Sequence, residues 1–144
     1  MTINPALQRL QPLAGEWDME LFNASFLPDP DTRARGKATF AWIEQGAALV
    51  MRQGERATWI IGRDDAEDDF HVLYSDSRGV SRVYHMSFDA SRWTLRRNTA
   101  EFSQRFEATI GSNGTAIDGR WEKSFDNGKT WEHDFNLNYT KTTT

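Results

Sequence analysis

The stretch Gly119-Arg-Trp-Glu-Lys-Ser-Phe-Asp-Asn-Gly-Lys-Thr-Trp-Glu-His-Asp-Phe-Asn-Leu-Asn-Tyr139 decides the fold. Two runs of alternating apolar and polar residues flank the turn sequence Asp126-Asn127-Gly128, and this arrangement predicts a β-hairpin. Period-two alternation places one face of each strand in the core and the other in solvent. The predicted core face carries Trp121 and Phe125 from the first strand, and Trp131, His133, Phe135, Leu137 and Tyr139 from the second.

Upstream of this hairpin, short runs of alternating polarity continue. A helix is predicted at the start, where Asn4 can cap, Pro5 suits the first helical position and Pro12 ends the run. Trp17, Met19 and Leu21 alternate with acidic residues and predict a half-buried strand. Further strands are predicted at 37–44, 47–53, 58–63, 70–74, 80–88, 92–97, 101–110 and 115–123, and a loose tail at 140–144.

These strands number about ten, and short connections imply that neighbours are antiparallel. A meander of this length removes its edges most simply by closing, so we predict an up-and-down β-barrel in a single domain, residues 1–144. Closure pairs the Trp17 strand with the Phe135 strand and leaves the N-terminal helix to plug one end. A barrel of this size can hold one small ligand.

Composition limits the class of function. The chain has 144 residues, a formal net charge of −4 and no cysteine. These values argue against a nucleic-acid partner, a disulfide framework and a cysteine metal site. No run of about eighteen apolar residues predicts a membrane span, and residues 1–15 carry no signal-peptide pattern, so a cytoplasmic location is expected.

The acidic run 64–69 is the one feature that suggests a cation. It lacks the glycine at the sixth position and the glutamate at the twelfth that an EF-hand loop needs. We expect a solvated turn there and predict no metal site.

Strand parity identifies polar residues on faces that are otherwise apolar. These candidate ligand-binding residues are Arg82, Tyr84, Arg97, Gln104 and His133. Buried polar groups need partners, which are one another, water or a ligand. The favoured function is therefore binding of a small, largely apolar or amphipathic molecule whose acidic or hydrogen-bonding group meets these residues. In the structural alternative, the arginines extend to the barrel mouths or pair with a core carboxylate such as Asp134.

Two other classes of function stay open. A barrel enzyme, an isomerase, cyclase or lyase, would use Arg97, Tyr84 and His133 on a substrate in the same cavity, although no motif assigns catalytic residues. An interaction module with a filled barrel is expected if five large side chains all point inward: Trp42, Trp59, Trp93, Trp121 and Phe106. The oligomeric state is equally open, a homodimer included.

The passage Leu10-Gln11-Pro12-Leu13-Ala14-Gly15-Glu16-Trp17, a helix leading through Gly-x-Trp into a strand, resembles the opening of the calycin superfamily: lipocalins, fatty-acid-binding proteins and nitrobindins. With the central Asp76-Ser77-Arg78-Gly79-Val80-Ser81-Arg82-Val83-Tyr84 and the closing hairpin, the chain resembles small bacterial lipocalin-like proteins of unknown function. This resemblance implies the barrel and no particular activity.

Individual calycin families imply more specific roles. Resemblance to nitrobindins implies haem binding through His133, although Glu16-Trp17-Asp18-Met19-Glu20 lacks the glycines that usually follow the nitrobindin tryptophan. No other cofactor is implied. Arg82-Val83-Tyr84 is similar to the Arg-x-Tyr pair that holds a carboxylate in fatty-acid-binding proteins.

Residues 124–131 match the Ser-x-Asp-x-Gly-x-Thr-Trp pattern of the Asp-box found in sialidase propellers. In those enzymes the box is structural and remote from the active site. The same role is expected here, with Asp126 accepting backbone N–H bonds and Gly128 supplying a positive φ. The repeat that a propeller would require is absent from the sequence.

Overall fold

Ten antiparallel strands close into a barrel in the computed structural model, which describes residues 2–143. The strands are β1 Gly15–Phe22, β2 Ala34–Ile43, β3 Ala48–Gln53, β4 Ala57–Arg63, β5 Phe70–Asp76, β6 Ser81–Phe88, β7 Arg92–Arg97, β8 Ser103–Ile110, β9 Ala116–Ser124 and β10 Glu132–Thr143. Each pairs with its sequence neighbour, and β1 also pairs with β10. The predicted up-and-down barrel and its closure are confirmed.

A 3₁₀-helix, Pro5–Leu13, closes one end of the barrel. Asn4 caps it by accepting a hydrogen bond from the Ala6 N–H at 3.0 Å, and the side chains of Leu7, Leu10 and Leu13 are buried. Arg9 Nη2 donates to the Asp68 carbonyl at 2.5 Å, which ties the helix to the β4–β5 loop. Pro12 lies inside the helix rather than at its end, because the helix continues for one more residue.

The C-terminal strand is longer than the sequence predicts. Residues 140–143 belong to β10, where Thr140 pairs with Asp18 and Lys141 with Trp17 of β1. The predicted loose tail is therefore wrong for these four residues, since the first strand offers them partners; Thr144 lies outside the described residues.

A β-bulge in β10 changes which side chains of the hairpin face inward. His133 pairs with Glu122 and Phe135 with Trp121, so Asp134 is an extra residue without a partner on β9. The extra residue reverses the inside–outside alternation. Asp134 is consequently buried, whereas the predicted inward orientation of His133 is wrong.

Two aromatic residues near the turn also depart from the predicted core face. Phe125 lies beyond the end of β9 and is 59% exposed. Trp131 precedes β10 and lies half-buried under the guanidinium of Arg105, 4.2 Å from the ring centroid. Arg105 lies between the inward-facing Gln104 and Phe106 of β8 and so points outward, which places Trp131 on the outer wall rather than in the core.

Elsewhere the predicted parity is confirmed, and aromatic side chains fill the half of the barrel next to the helix. Trp93 is at the centre of this packing, with ring centroids 5.1 Å from Phe106, 5.7 Å from Tyr139 and 6.1 Å from Phe40. Trp42 lies at the helix end and donates from Nε1 to Gln11 Oε1 at 2.9 Å. The filled half leaves the space inside the barrel at the opposite end.

Candidate ligand-binding site

A cavity of about 770 Å³ opens at the end of the barrel away from the helix. This volume is within the roughly 300–1,000 Å³ range of small-molecule pockets. The rim comes from four connections: Phe26 lies in β1–β2, Gly54, Glu55 and Arg56 in β3–β4, Arg78 in β5–β6 and Phe102 in β7–β8. The interaction-module alternative depended on a filled barrel; Trp59, Trp93, Trp121 and Phe106 all point inward, yet this cavity is open beside them.

Aromatic rings form the floor of the cavity. The ring centroids of Trp59 and Tyr84 are 5.2 Å apart, and Trp121 lies 5.8 Å from Tyr84 and 6.1 Å from Trp59. All three are buried. Their strands, β4, β6 and β9, each point an aromatic side chain inward at this level, which is why the floor is apolar.

Three of the predicted site residues meet above this floor. Tyr84 donates its hydroxyl to Gln104 Oε1 at 2.6 Å, and Arg82 Nη1 donates to the same oxygen at 3.5 Å. Arg82 and Tyr84 share a face of β6, and Gln104 projects inward from β8. All three line the cavity.

Arg82 is the charged member of this group. Its guanidinium carbon lies 5.0 Å from the ring centroid of Phe102, and its side chain is half-buried. Among the carboxylates of residues 2–143 other than that of Glu16, none lies within 4.0 Å of the Arg82 guanidinium. Burial raises the pKa of Tyr84, an effect that the positive charge of Arg82 opposes. Tyr84 is therefore a neutral hydrogen-bond donor at physiological pH.

Asp134, the alternative partner suggested for the arginines, pairs instead with Lys123. Lys123 Nζ lies 3.5 Å from Asp134 Oδ1, and Asp134 lines the cavity. Because this carboxylate is engaged by Lys123, the charge of Arg82 is not neutralised by it.

A second polar group at the rim was missed by the sequence analysis. Tyr74 donates its hydroxyl to Asp76 Oδ2 at 2.6 Å, and Arg78 Nη2 donates to the same oxygen at 2.7 Å. Burial, followed by the bond to Asp76, raises the pKa of Tyr74 to about 12, and the bond from Arg78 holds the pKa of Asp76 well below its usual range. Both the turn sequence Asp76-Ser77-Arg78-Gly79 and the shared face of Tyr74, Phe70 and Val72 can be read from the sequence, but the bond between the Tyr74 hydroxyl and Asp76 cannot.

Two predicted ligand-binding residues do not line the cavity. Arg97 pairs with Gln104 along the strand, but its Nη2 donates to Thr99 Oγ1 at 3.3 Å and its Nε is buried without a partner among residues 2–143. His133 lies outside the barrel, with Nε2 3.1 Å from the Asn23 carbonyl oxygen. The two placements have different causes, since the bulge at Asp134 turns His133 outward, whereas Arg97 lies at the end of β7 and bonds to Thr99 beyond it.

The position of His133 also bears on the cofactor that the nitrobindin resemblance implies. A haem inside the barrel would need its ligand on the inner face, and His133 is not there. The residues present therefore do not fit a haem held by this histidine. Residues 2–143 contain no group of three or more His, Cys, Asp or Glu side chains arranged to hold a metal ion. Within the same range, no helix is long and apolar enough to cross a membrane.

Charge is distributed unevenly around the mouth. Five basic side chains line the cavity, Arg35, Lys37, Arg56, Arg78 and Arg82, against two acidic ones, Glu55 and Asp134. The chain as a whole carries a formal charge of −4. Arg35, Lys37 and Arg78 are ion-paired with Glu20, Asp18 and Asp76, so the positive charge at the mouth comes mainly from Arg56 and Arg82.

Comparisons with known proteins identify the fold and nothing finer. No protein-family profile and no curated protein sequence matches the chain. Solved structures do match, among them the crystal structure of Rv2717c from M. tuberculosis, with a TM-score of 0.62 and 11% sequence identity over 99% of this chain and 100% of that chain. At this identity the likeness shows a shared barrel fold.

Proposed function

We propose that this protein is a calycin-type barrel that binds a small, largely apolar molecule bearing an acidic group. The observation that carries the proposal is the cation at the cavity wall: Arg82 is half-buried, stacked on Phe102 and without a carboxylate partner in the cavity. Tyr84 and Gln104 lie beside it as hydrogen-bonding groups.

The energetics favour an anionic ligand group at this position. Withdrawing a charge from water is costly unless an opposite charge compensates, and a guanidinium suits a carboxylate because two N–H groups can bind its two oxygens. The aromatic floor of the cavity provides the apolar contribution to binding. Burial of apolar ligand surface against Trp59 and Trp121 contributes roughly 25 cal/mol per Å².

Catalysis by Arg97, Tyr84 and His133 is not proposed, because the three side chains do not converge. Tyr84 lines the cavity, Arg97 does not line it, and His133 lies outside the barrel. No common substrate atom inside the barrel could contact all three.

Isothermal titration calorimetry with two acids of similar carbon number, decanoate and 2-naphthoate, tests the proposal. We expect at least one acid to bind with one-to-one stoichiometry, and Arg82→Met to weaken that binding about tenfold or more, as loss of a charge-assisted contact predicts. Arg52→Met is the matched control, since Arg52 is exposed on the outer wall and bonds to Thr58. If neither acid binds, or if the two arginine variants bind equally well, the proposed function is wrong.

A further inference from the structure

Aromatic residues continue from the floor of the cavity up to its mouth in an unbroken series of ring contacts. Successive ring centroids are 4.6 Å apart between Tyr74 and Trp59, and 6.3 Å apart between Trp121 and Phe135. Phe26, from the β1–β2 loop, extends the series at 5.8 Å from Phe135. All five line the cavity.

The wall on β1 and β2 is different. It consists of Met19 and Leu21 from β1, and Ala34 and Gly36 from β2. In the closed strand order this wall lies across the barrel from β6, which carries Arg82 and Tyr84. Gly36 brings no side chain, and a Cβ there would lie 3.4 Å from the Met19 methyl carbon. The rings thus come from β4, β5, β9, β10 and the β1–β2 loop, and the wall on β1 and β2 contributes only small or unbranched side chains to the cavity.

Resting on the proposed function, we infer that the ligand is a flat aromatic carboxylate of two or three fused rings rather than a flexible fatty acid. The ring system of the ligand contacts this series of aromatic side chains and lies against Met19 and Gly36 on β1 and β2. Its carboxylate is directed to Arg82. This assignment accounts for features that an aliphatic chain would not require: a continuous series of aromatic rings around the cavity, and small or unbranched side chains on β1 and β2 that leave room for a flat ring system.

Two physical effects separate the ligand classes. Offset or edge-to-face ring contacts contribute about 0.5–1.5 kcal/mol beyond the burial of area, and only an aromatic ligand gains them. A fused ring system also has almost no internal rotations to lose, whereas a flexible chain loses conformational entropy when it is ordered. Both effects favour the flat acid at equal charge and similar carbon number.

The test is the ratio of the dissociation constants of decanoate and 2-naphthoate, measured by isothermal titration calorimetry. We expect 2-naphthoate to bind about tenfold more tightly, which corresponds to the upper end of a single ring-contact contribution. Equal or tighter binding of decanoate, with both affinities dependent on Arg82, overturns this inference and leaves the proposed function standing. Absence of binding by either acid overturns both.

Variants that remove one aromatic ring from the cavity test whether these rings cause the difference between the two dissociation constants. Phe135→Leu keeps the position apolar but removes one ring, so the preference for 2-naphthoate should fall several-fold while decanoate binding changes less. Trp121→Leu is a second variant, which removes a buried ring of the series, whereas Phe135 is only partly buried. Circular dichroism must show that the Trp121→Leu protein is folded. Trp131→Leu is the control, because Trp131 lies on the outer wall. If neither Phe135→Leu nor Trp131→Leu changes the ratio of the decanoate and 2-naphthoate dissociation constants, the assignment is wrong.

Discussion

At the scale of single residues, one inserted amino acid decides what the hairpin presents to the cavity. Asp134 has no partner on β9, and the bulge that it forms sends its carboxylate inward and His133 outward. Lys123 then pairs with the inward carboxylate. Thus the bulge leaves Arg82, and not a histidine, as the principal polar feature beside the aromatic floor.

Asp126 illustrates a residue whose role is confined to a turn. Its carboxylate accepts hydrogen bonds from the Thr130 N–H at 2.9 Å, the Thr130 hydroxyl at 2.5 Å and the Ser124 hydroxyl at 2.7 Å. These bonds, led by the one from the Thr130 side chain, lower the pKa of Asp126 to about 2. Neither Asp126 nor Thr130 lines the cavity, which agrees with the structural role expected of the Asp-box.

We therefore predict a pH-dependent effect of Asp126→Asn on stability alone. A carboxyl whose pKa is lower in the folded state stabilises the fold above its unfolded pKa of about 4, and this contribution is lost as the pH falls towards 2. Thermal unfolding should show a melting temperature several degrees below wild type at pH 7 and a smaller difference at pH 2 to 3. Asp65→Asn, in the β4–β5 loop, is the control. A difference that stays constant over this pH range, or a change in acid binding at pH 7, would contradict the prediction.

At the scale of strands, Gly119 shows how the core constrains β9. A Cβ built at this position would lie 2.5 Å from two carbons of the Phe106 ring and 3.0 Å from the Leu137 carbonyl oxygen. Because the glycine is flanked by a buried ring on one side and backbone on the other, neither neighbour can move cheaply. Only glycine therefore fits between β8 and β10 at this point.

Gly119→Ala should accordingly destabilise the barrel by about 1–3 kcal/mol, the usual cost of overpacking a core. Urea unfolding measures this difference directly. Gly62→Ala in β4 is the matched control, since nothing lies within 4 Å of a Cβ at that position. Phe106→Leu should recover part of the loss in the double variant. Equal stabilities of the two alanine variants would show that the close contact does not constrain the fold.

The β1–β2 loop makes a different contribution, because it places Phe26 at the cavity mouth. Phe26 is 61% exposed, and its ring contacts Phe135 edge-on. Asn23 anchors the start of the loop through His133 and through Asn136, whose Oδ1 accepts from Asn23 Nδ2 at 3.2 Å. The histidine proposed as a ligand-binding residue thus supports the loop at the mouth instead.

Phe26→Ala should weaken 2-naphthoate binding several-fold, mainly through faster dissociation, with little change in stability because the ring is largely exposed. Stopped-flow tryptophan fluorescence can separate the two rates, since Trp59 and Trp121 line the cavity. Phe125→Ala is the control of matched exposure, as Phe125 is 59% exposed and does not line the cavity. If 2-naphthoate dissociates at the same rate from the two variants, Phe26 does not contact the ligand.

Much of this architecture was predictable from the sequence. Period-two alternation located all ten strands, and the parity of β6 correctly placed Arg82 and Tyr84 on the inner face because no bulge interrupts that strand. Alternation fails where the register shifts, as it does at Asp134, and nothing in a single sequence marks a bulge between two polar residues. Arg97 shares the face of β7 that carries Trp93 and Leu95, yet it does not line the cavity, and its Nη2 bonds to Thr99 beyond the strand end.

At the scale of the whole molecule, the polarity of the barrel runs from a closed apolar end to an open cationic one. The helix seals the end packed with Trp93 and its neighbours, and the cavity opens at the opposite rim. The rim and upper walls carry an excess of basic groups, although the chain is acidic overall. Such an arrangement attracts small anions to the mouth and repels them from the rest of the surface.

This distribution predicts that association of 2-naphthoate depends on ionic strength. Electrostatic attraction extends about 30 Å at 10 mM salt but only about 3 Å at 1 M, so the association rate constant should fall several-fold between these limits while the dissociation rate changes less. Arg56→Glu should reduce this dependence, because Arg56 is exposed at the rim. Arg52→Glu makes the same change in net charge on the outer wall and should have a smaller effect. If both variants alter the salt dependence equally, net charge and not the cationic mouth governs the approach of the ligand.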